Sequence, residues 1–135
     1  IRDRTPSRGL GDVYKRQGYA LIAAGSGAKL TVNGGKIEAI QSVGGAQVNI
    51  TGGSIYCEGQ YYALYNEHGN TSISGGYFYS PTGKNIYVVS GNGTVKTTGG
   101  YFSDQSAPLE SGYEFQSIDQ TVGEYKYNYQ VVKTN

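Results

Sequence analysis

Four stretches of this chain repeat one pattern of apolar and polar positions. Residues 30–37 (LTVNGGKI), 48–55 (VNITGGSI), 71–78 (TSISGGYF) and 95–102 (VKTTGGYF) align without gaps. Their Gly-Gly pairs begin at 34, 52, 75 and 99, so the pattern recurs after 18, 23 and 24 residues. Such a period suits one turn of a parallel β-helix, whose coils hold two or three short strands separated by corners. Leucine-rich repeats have similar lengths, but the Leu-x-x-Leu-x-Leu signature is absent.

Read by columns, the alignment separates an inside from an outside. Leu30, Val48, Thr71 and Val95 share one column, Val32, Ile50, Ile73 and Thr97 the next, and Ile37, Ile55, Phe78 and Phe102 a third. These are strand positions i and i+2 followed by a residue just past a corner, so all three columns can point inward. Between them run two polar columns, Thr31, Asn49, Ser72, Lys96 and Asn33, Thr51, Ser74, Thr98. The spacing is not the three-and-four of an amphipathic helix. The predicted fold is therefore all-β, a right-handed parallel β-helix of about four coils.

The paired glycines fall where the chain turns, either because positive φ is needed or because a side chain would strike the next coil. No helix and no Gly-Lys-(Ser/Thr) follows them, which excludes a phosphate loop. A looser second corner recurs as GSGA (25–28), VGGA (43–46), EHGN (67–70) and SGNG (90–93). Short apolar strands are expected just before it, at YALI (19–22), EAI (38–40), YALY (62–65) and IYVV (86–89). The longer periods carry insertions, YCEGQ (56–60) and YSPTGK (79–84), expected as loops on one side of the solenoid.

The flanks differ from the coils. After Phe102 the repeat ends, and YEFQSI (113–118), DQTVGE (119–124) and YKYNYQVV (125–132) read as strand, hairpin connection and strand. Residues 103–135 are thus expected to cap the last coil, since a bare strand edge invites further pairing. At the other end, residues 1–17 are Arg-rich, without strand alternation and without the apolar core of a signal peptide. They resemble translated sequencing-adapter read-through and are set aside as non-native, with coils expected over 18–102. The natural N-terminus and any export signal would then lie outside this sequence. The first coil near Tyr19–Ile22 would be uncapped and open to self-association.

Composition supports an all-β body and little else. Glycine supplies 22 residues and tyrosine 14, Met and Trp are absent, and only 16% of residues are charged. Residues 1–17 hold five of the eleven Lys/Arg and two of the ten Asp/Glu, leaving six basic and eight acidic residues beyond them. That body has no clustered basic face for nucleic acid. No apolar run is long enough for a membrane-spanning helix. Cys57 has no second cysteine to pair with and reads as packing.

Residues 30–37, 48–55, 71–78 and 95–132, with the ending GGYFSD…SGYEF…YKYNYQVV, resemble repeat-bearing cell-surface proteins of gut-dwelling bacteria. Their coils run (Val/Ile)-x-Ile-x-Gly-Gly-x-(Ile/Phe), and the likeness spans most of 18–132. DQTVGEYKY stands where that family's closing module has an Asn-Gly-Asp-Gly-Thr-Tyr turn. The resemblance implies export and surface display, not a reaction.

Catalysis finds no constellation in the sequence. A glycosidase needs two facing carboxylates, whereas Glu38, Glu58, Glu67, Asp104 and Glu110 are scattered, and Arg is absent from 18–135. His68-Gly69 resembles a polygalacturonase-type pair without its companion motifs. No metal-binding repeat and no cofactor motif is present. The candidate binding residues are Tyr56, Tyr77, Tyr79 and Tyr101, which flank the inward Ile/Phe column and point outward on neighbouring coils. Such rings suit stacking on sugars or gripping a protein partner; equally, they can stack into a stabilising ladder or pack under loops and the cap. The leading expectation is a non-enzymatic, extracellular, adhesin-like module contacting glycans or host or cell-surface proteins. The alternatives are a fragment of a carbohydrate-active β-helix enzyme with its catalytic coils upstream, and a structural stalk.

Overall fold

The computed structural model describes residues 21–57, 62–81, 84–89 and 93–134. The residues set aside as non-native, Tyr19 of the first coil and Glu58 lie outside them. The described chain is all-β, with twelve strands: β1 Leu21–Ala24, β2 Lys29–Glu38, β3 Ile40–Val43, β4 Gln47–Tyr56, β5 Leu64–Glu67, β6 Asn70–Ile73, β7 Tyr77–Tyr79, β8 Ile86–Val88, β9 Thr94–Thr97, β10 Tyr101–Phe102, β11 Tyr113–Val122 and β12 Tyr125–Lys133.

Parallel pairing between successive coils makes a β-solenoid. One sheet stacks β1, β3, β5 and β8; the other carries β2, β4, β6, β7, β9 and β10 and is extended by β12 and β11. The solenoid completes about three turns rather than four, because four Gly-Gly corners bound only three periods. The register reproduces the columns: Leu30, Val48, Thr71 and Val95 stand in one row, as do Val32, Ile50, Ile73 and Thr97. Ile37, Ile55, Phe78 and Phe102 form the third.

Those rows are the core. Val48, Ile50, Ile55, Ile73, Phe78 and Phe102 are fully buried, as are Ile40 and Leu64 from the four-stranded sheet. Each such aliphatic side chain contributes about 1.5–3 kcal/mol by leaving water. The Phe78 and Phe102 rings stack at 4.8 Å between centroids. Polar members are held inside as well: Asn66 donates to the Gly69 carbonyl at 3.0 Å and accepts from the Thr71 hydroxyl at 2.7 Å. Among the described residues the Ser42 and Thr97 hydroxyls are buried with no hydrogen-bond partner.

The two glycines of each corner do different work. The second of each pair, Gly35, Gly53, Gly76 and Gly100, has φ between 86° and 105°, where only glycine sits without strain. The first is needed for approach: a Cβ on Gly52 would lie 2.8 Å from the Asn33 carbonyl oxygen, and on Gly75 and Gly99 it would come closer still to the coil before. Gly34, in the first coil, meets nothing within 4 Å.

Two corners differ from the sequence expectation. Strand begins at Ile40 and Leu64, the third residue of the segments 38–40 and 62–65 expected as strand, while of the segment 19–22 only Leu21 and Ile22 are described, both in β1. Ala39 turns the chain ahead of Ile40 with φ 65°, a left-handed conformation unusual for a residue with a Cβ. The closing hairpin is also tighter than expected. β11 runs on to Val122 and only Gly123 and Glu124 connect it to β12, while a bulge between Ser117 and Gln120 absorbs the extra length.

The cap closes the last coil by three devices. Asp104 Oδ2 accepts from the Asn85 backbone N–H at 3.1 Å, and Ser106 Oγ from that of Ile86 at 3.0 Å, in place of a further strand beside β8. The Thr97 N–H donates to the Pro108 carbonyl and Glu110 N–H donates to the Thr97 carbonyl, which closes β9. β12 then pairs antiparallel with β10. Side chains and a hairpin thus satisfy the backbone groups that a next coil would otherwise meet.

Candidate functional site: two tyrosine stacks

Alternation along β4, β7 and β10 turns Tyr56, Tyr77, Tyr79 and Tyr101 outward wherever Ile55, Phe78 and Phe102 turn inward. The register brings Tyr77 beside Tyr101 and Tyr56 beside Tyr79. The Tyr77 and Tyr101 rings stack at 4.7 Å and 11°. This stripe has a roof. Tyr125 stacks on Tyr79 at 4.2 Å and on Tyr56 at 5.7 Å, and Tyr127 packs tilted against Tyr77 at 5.2 Å. Tyr56, Tyr125 and Tyr127 are buried, while Tyr77, Tyr79 and Tyr101 are half-buried around them with Ile118.

One face of β12 therefore serves two cores. Val131 and Tyr129 pack with the solenoid interior, whereas Tyr125 and Tyr127 join the outer stripe. Lys36 Nζ lies 5.3 Å from the Tyr56 ring centre and 5.8 Å from that of Tyr125, over the aromatic faces. Burial raises the pKa of Tyr127 above the ordinary tyrosine range, a hydrogen bond with Ser54 opposes the shift, and Tyr77 and Tyr79 add to it. The stripe has the packing of a secondary core.

A second stack stands on the other sheet, and no sequence motif announces it. Inward Leu64 and Ile86 place the next residues, Tyr65 and Tyr87, on the outer face, paired in register. Tyr62, at the corner before β5, stacks on Tyr87 at 4.6 Å and 13°. Tyr65 lies 5.8 Å from Tyr87 and 6.3 Å from Tyr62, with all three rings within 24° of parallel. All three are partly exposed, to the same degree as Tyr77, Tyr79 and Tyr101. Polar groups fringe them: the Tyr65 hydroxyl donates to Glu67 Oε1 at 2.9 Å, and Lys84 Nζ lies 5.9 Å from the Tyr87 ring centre. Gln41 and the exposed Ile22 continue the same outer row towards the first coil. The bond to Glu67 raises the Tyr65 pKa, with desolvation and the carboxylate charge adding to it. Aligned end to end, YALY (62–65) and IYVV (86–89) set Tyr65 opposite Val89, and only the observed register, Leu64 with Ile86, brings the two tyrosines together.

The remaining candidates are spread apart. Glu38 is buried beside Ala39, Asp104 is committed to Asn85 and Ser106, and Glu67 is engaged by Tyr65. His68 is an exposed corner residue with φ 64°, and its carbonyl accepts from the Gly45 N–H. Cys57 is buried. Among the described residues no three His, Cys, Asp or Glu side chains converge to hold a metal, and no helix is long and apolar enough to cross a membrane. No family model, curated protein or solved structure matches the chain.

Proposed function

We propose that this chain is a non-enzymatic, extracellular surface module, adhesin-like in role, that contacts glycans through Tyr62, Tyr65 and Tyr87. The observation that carries the reading is the half-exposed stack of three near-parallel rings on the outer face of the four-stranded sheet. A half-exposed phenol offers apolar ring surface and a hydroxyl in one side chain, the combination that suits a sugar's C–H faces and hydroxyl groups. Glu67 and Lys84 add a fixed acceptor and a donor at its border. The rings already stack on one another, which limits the side-chain entropy that contact would forfeit. The stripe of Tyr56, Tyr77, Tyr79 and Tyr101 lacks this freedom, because Tyr125 and Tyr127 lie on it.

A glycan array probed with the wild-type chain and with the Tyr65→Ala/Tyr87→Ala double variant tests the proposal. The wild type should bind a defined set of glycans, and the variant should lose at least about tenfold in affinity, equivalent to about 1.4 kcal/mol. Absence of any bound glycan, or identical profiles for the two proteins, would sink it in favour of a stalk whose tyrosines only brace the coils.

A further inference from the structure

Two charges border the open tyrosine stack, and the fold fixes both. The Tyr65 hydroxyl donates to Glu67 Oε1 at 2.9 Å, and Lys84 Nζ lies 5.9 Å from the Tyr87 ring centre. Lys84 is exposed, but the residue after it is firmly held. Asn85 is fully buried; its N–H donates to Asp104 Oδ2 at 3.1 Å and its side-chain amide to Ser103 Oγ at 2.8 Å. Its side-chain carbonyl accepts the N–H groups of Ser103 and Asp104. Its backbone carbonyl accepts from the Leu64 N–H at 2.9 Å, which ties it to the strand carrying Tyr65. The clip that ends the solenoid therefore also anchors the base of Lys84 beside the rings.

The two charges belong to opposite ends of the patch. Tyr65 and Tyr87 are paired in register on parallel strands. Glu67 follows Tyr65 by two residues, whereas Lys84 precedes Tyr87 by three, so the chain leaves the pair in opposite directions to reach them. Lys36 is the comparable lysine on the other sheet, but it lies over Tyr56 and Tyr125, rings that are already buried. Lys84 is the ammonium that a ligand on the open stack can reach.

We propose that the glycan taken by this stack carries an anionic sugar residue, carboxylated or sulfated, seated at the Tyr87 end against Lys84, with neutral sugars towards Tyr65 and Glu67. The inference rests on the glycan reading of Tyr62, Tyr65 and Tyr87 and adds the ligand's charge and direction to it. A lysine whose stem lies along an apolar ring keeps its ammonium in water at the rim of that ring. A sugar stacked there presents its own charged substituent at the same rim. Glu67 works in the other sense: its carboxylate can accept from a sugar hydroxyl but repels a second anion. The patch therefore favours one acidic residue beside neutral ones over a run of acidic sugars. Arg is absent from 18–135, so no bidentate fork selects carboxylate geometry, and a lysine point charge serves either anion.

A matched glycan set tests this with the full 135-residue chain. It comprises an oligosaccharide with a single uronic acid among neutral sugars, its carboxyl-reduced counterpart, and the reduced form carrying a sulfate ester. The anionic forms should bind about fivefold more tightly than the reduced one, the upper range for an exposed ion pair, and added salt should shrink that preference. Lys84→Gln should remove the preference and Lys84→Glu should invert it, both with the wild-type circular dichroism spectrum. Lys96→Gln, at an exposed position on the other sheet, should leave it in place. A preference confined to one anion supports the proposal and identifies the charged group. Equal binding of all three glycans, or a preference lowered as much by Lys96→Gln as by Lys84→Gln, would overturn the proposal while leaving the stack as a glycan site. Binding of none of them, with Tyr65→Ala/Tyr87→Ala indistinguishable from wild type on the array, would remove the site and this proposal with it.

Discussion

The two tyrosine stacks share a chemistry and a spacing but differ in what lies over them. Both arise because a tyrosine follows or precedes an inward residue on successive coils, and parallel pairing then sets ring upon ring. On the larger sheet the cap folds back, and Tyr127 reaches 1% exposure between Tyr77 and Tyr79. On the four-stranded sheet Tyr62, Tyr65 and Tyr87 are partly exposed, as Tyr77, Tyr79 and Tyr101 are, but among the described residues no ring from the cap lies over them. The difference teaches that a ladder of aromatic residues on a solenoid is neither core nor site by itself. The cover decides.

The comparison rests on coils held in register, and the corners are the place to break it most severely. Gly75→Ala puts a methyl group against the Thr51 carbonyl of the preceding coil. Because backbone rather than a flexible side chain stands in the way, the expected loss is about 5 kcal/mol or more, read from chemical denaturation. Gly34→Ala has open space and no positive φ to oppose it, so it should be neutral or stabilise by up to about 1 kcal/mol. Equal losses at the two positions would contradict the account of the corners.

Next in size is the roof itself. Removing the fully buried Tyr127 ring with Tyr127→Ala should cost about 3–5 kcal/mol and expose Tyr77 and Tyr79 to solvent. A loss under about 1 kcal/mol would mean that the hairpin does not seal the stripe in solution. Protonation offers a gentler probe of the same contact. Because Tyr127 has a raised pKa when folded, its share of stability is fully present below about pH 10, where unfolded tyrosine begins to ionise. It is lost as pH climbs from there through the folded value. Tyr127→Phe should therefore shift alkaline unfolding to higher pH, and an unmoved transition would assign the sensitivity elsewhere. Smallest is the effect on the open stack: Tyr65→Ala should change stability by about 1 kcal/mol or less, with the melting curve otherwise intact.

Much of this was legible in the residues. The Gly-Gly corner and three apolar columns fixed the interior register, because every coil must bury the same positions against its neighbours. The turn at Ala39 was not legible, since alanine carries no preference for φ 65°. Nor was the open stack. Insertions of unequal length precede β5 and β8, so Tyr65 and Tyr87 align only once strands start at Leu64 and Ile86. The stripe of Tyr56, Tyr77, Tyr79 and Tyr101 was visible as an outward row, but its roof depends on how far β12 curls past β10, a tertiary choice absent from local patterning. Asp104 shows the same limit: in the sequence it is one of several scattered carboxylates with no assigned role, and its partners Asn85 and Ser106 make it the clip that ends the solenoid.

The most direct test is a nuclear magnetic resonance titration of the tyrosine-labelled chain with a glycan that the array identifies. Ring resonances of Tyr62, Tyr65 and Tyr87 should move together with increasing glycan, while those of Tyr77, Tyr79, Tyr101 and Tyr127 stay in place. Movement of the roofed stripe with the open stack unchanged would contradict the account.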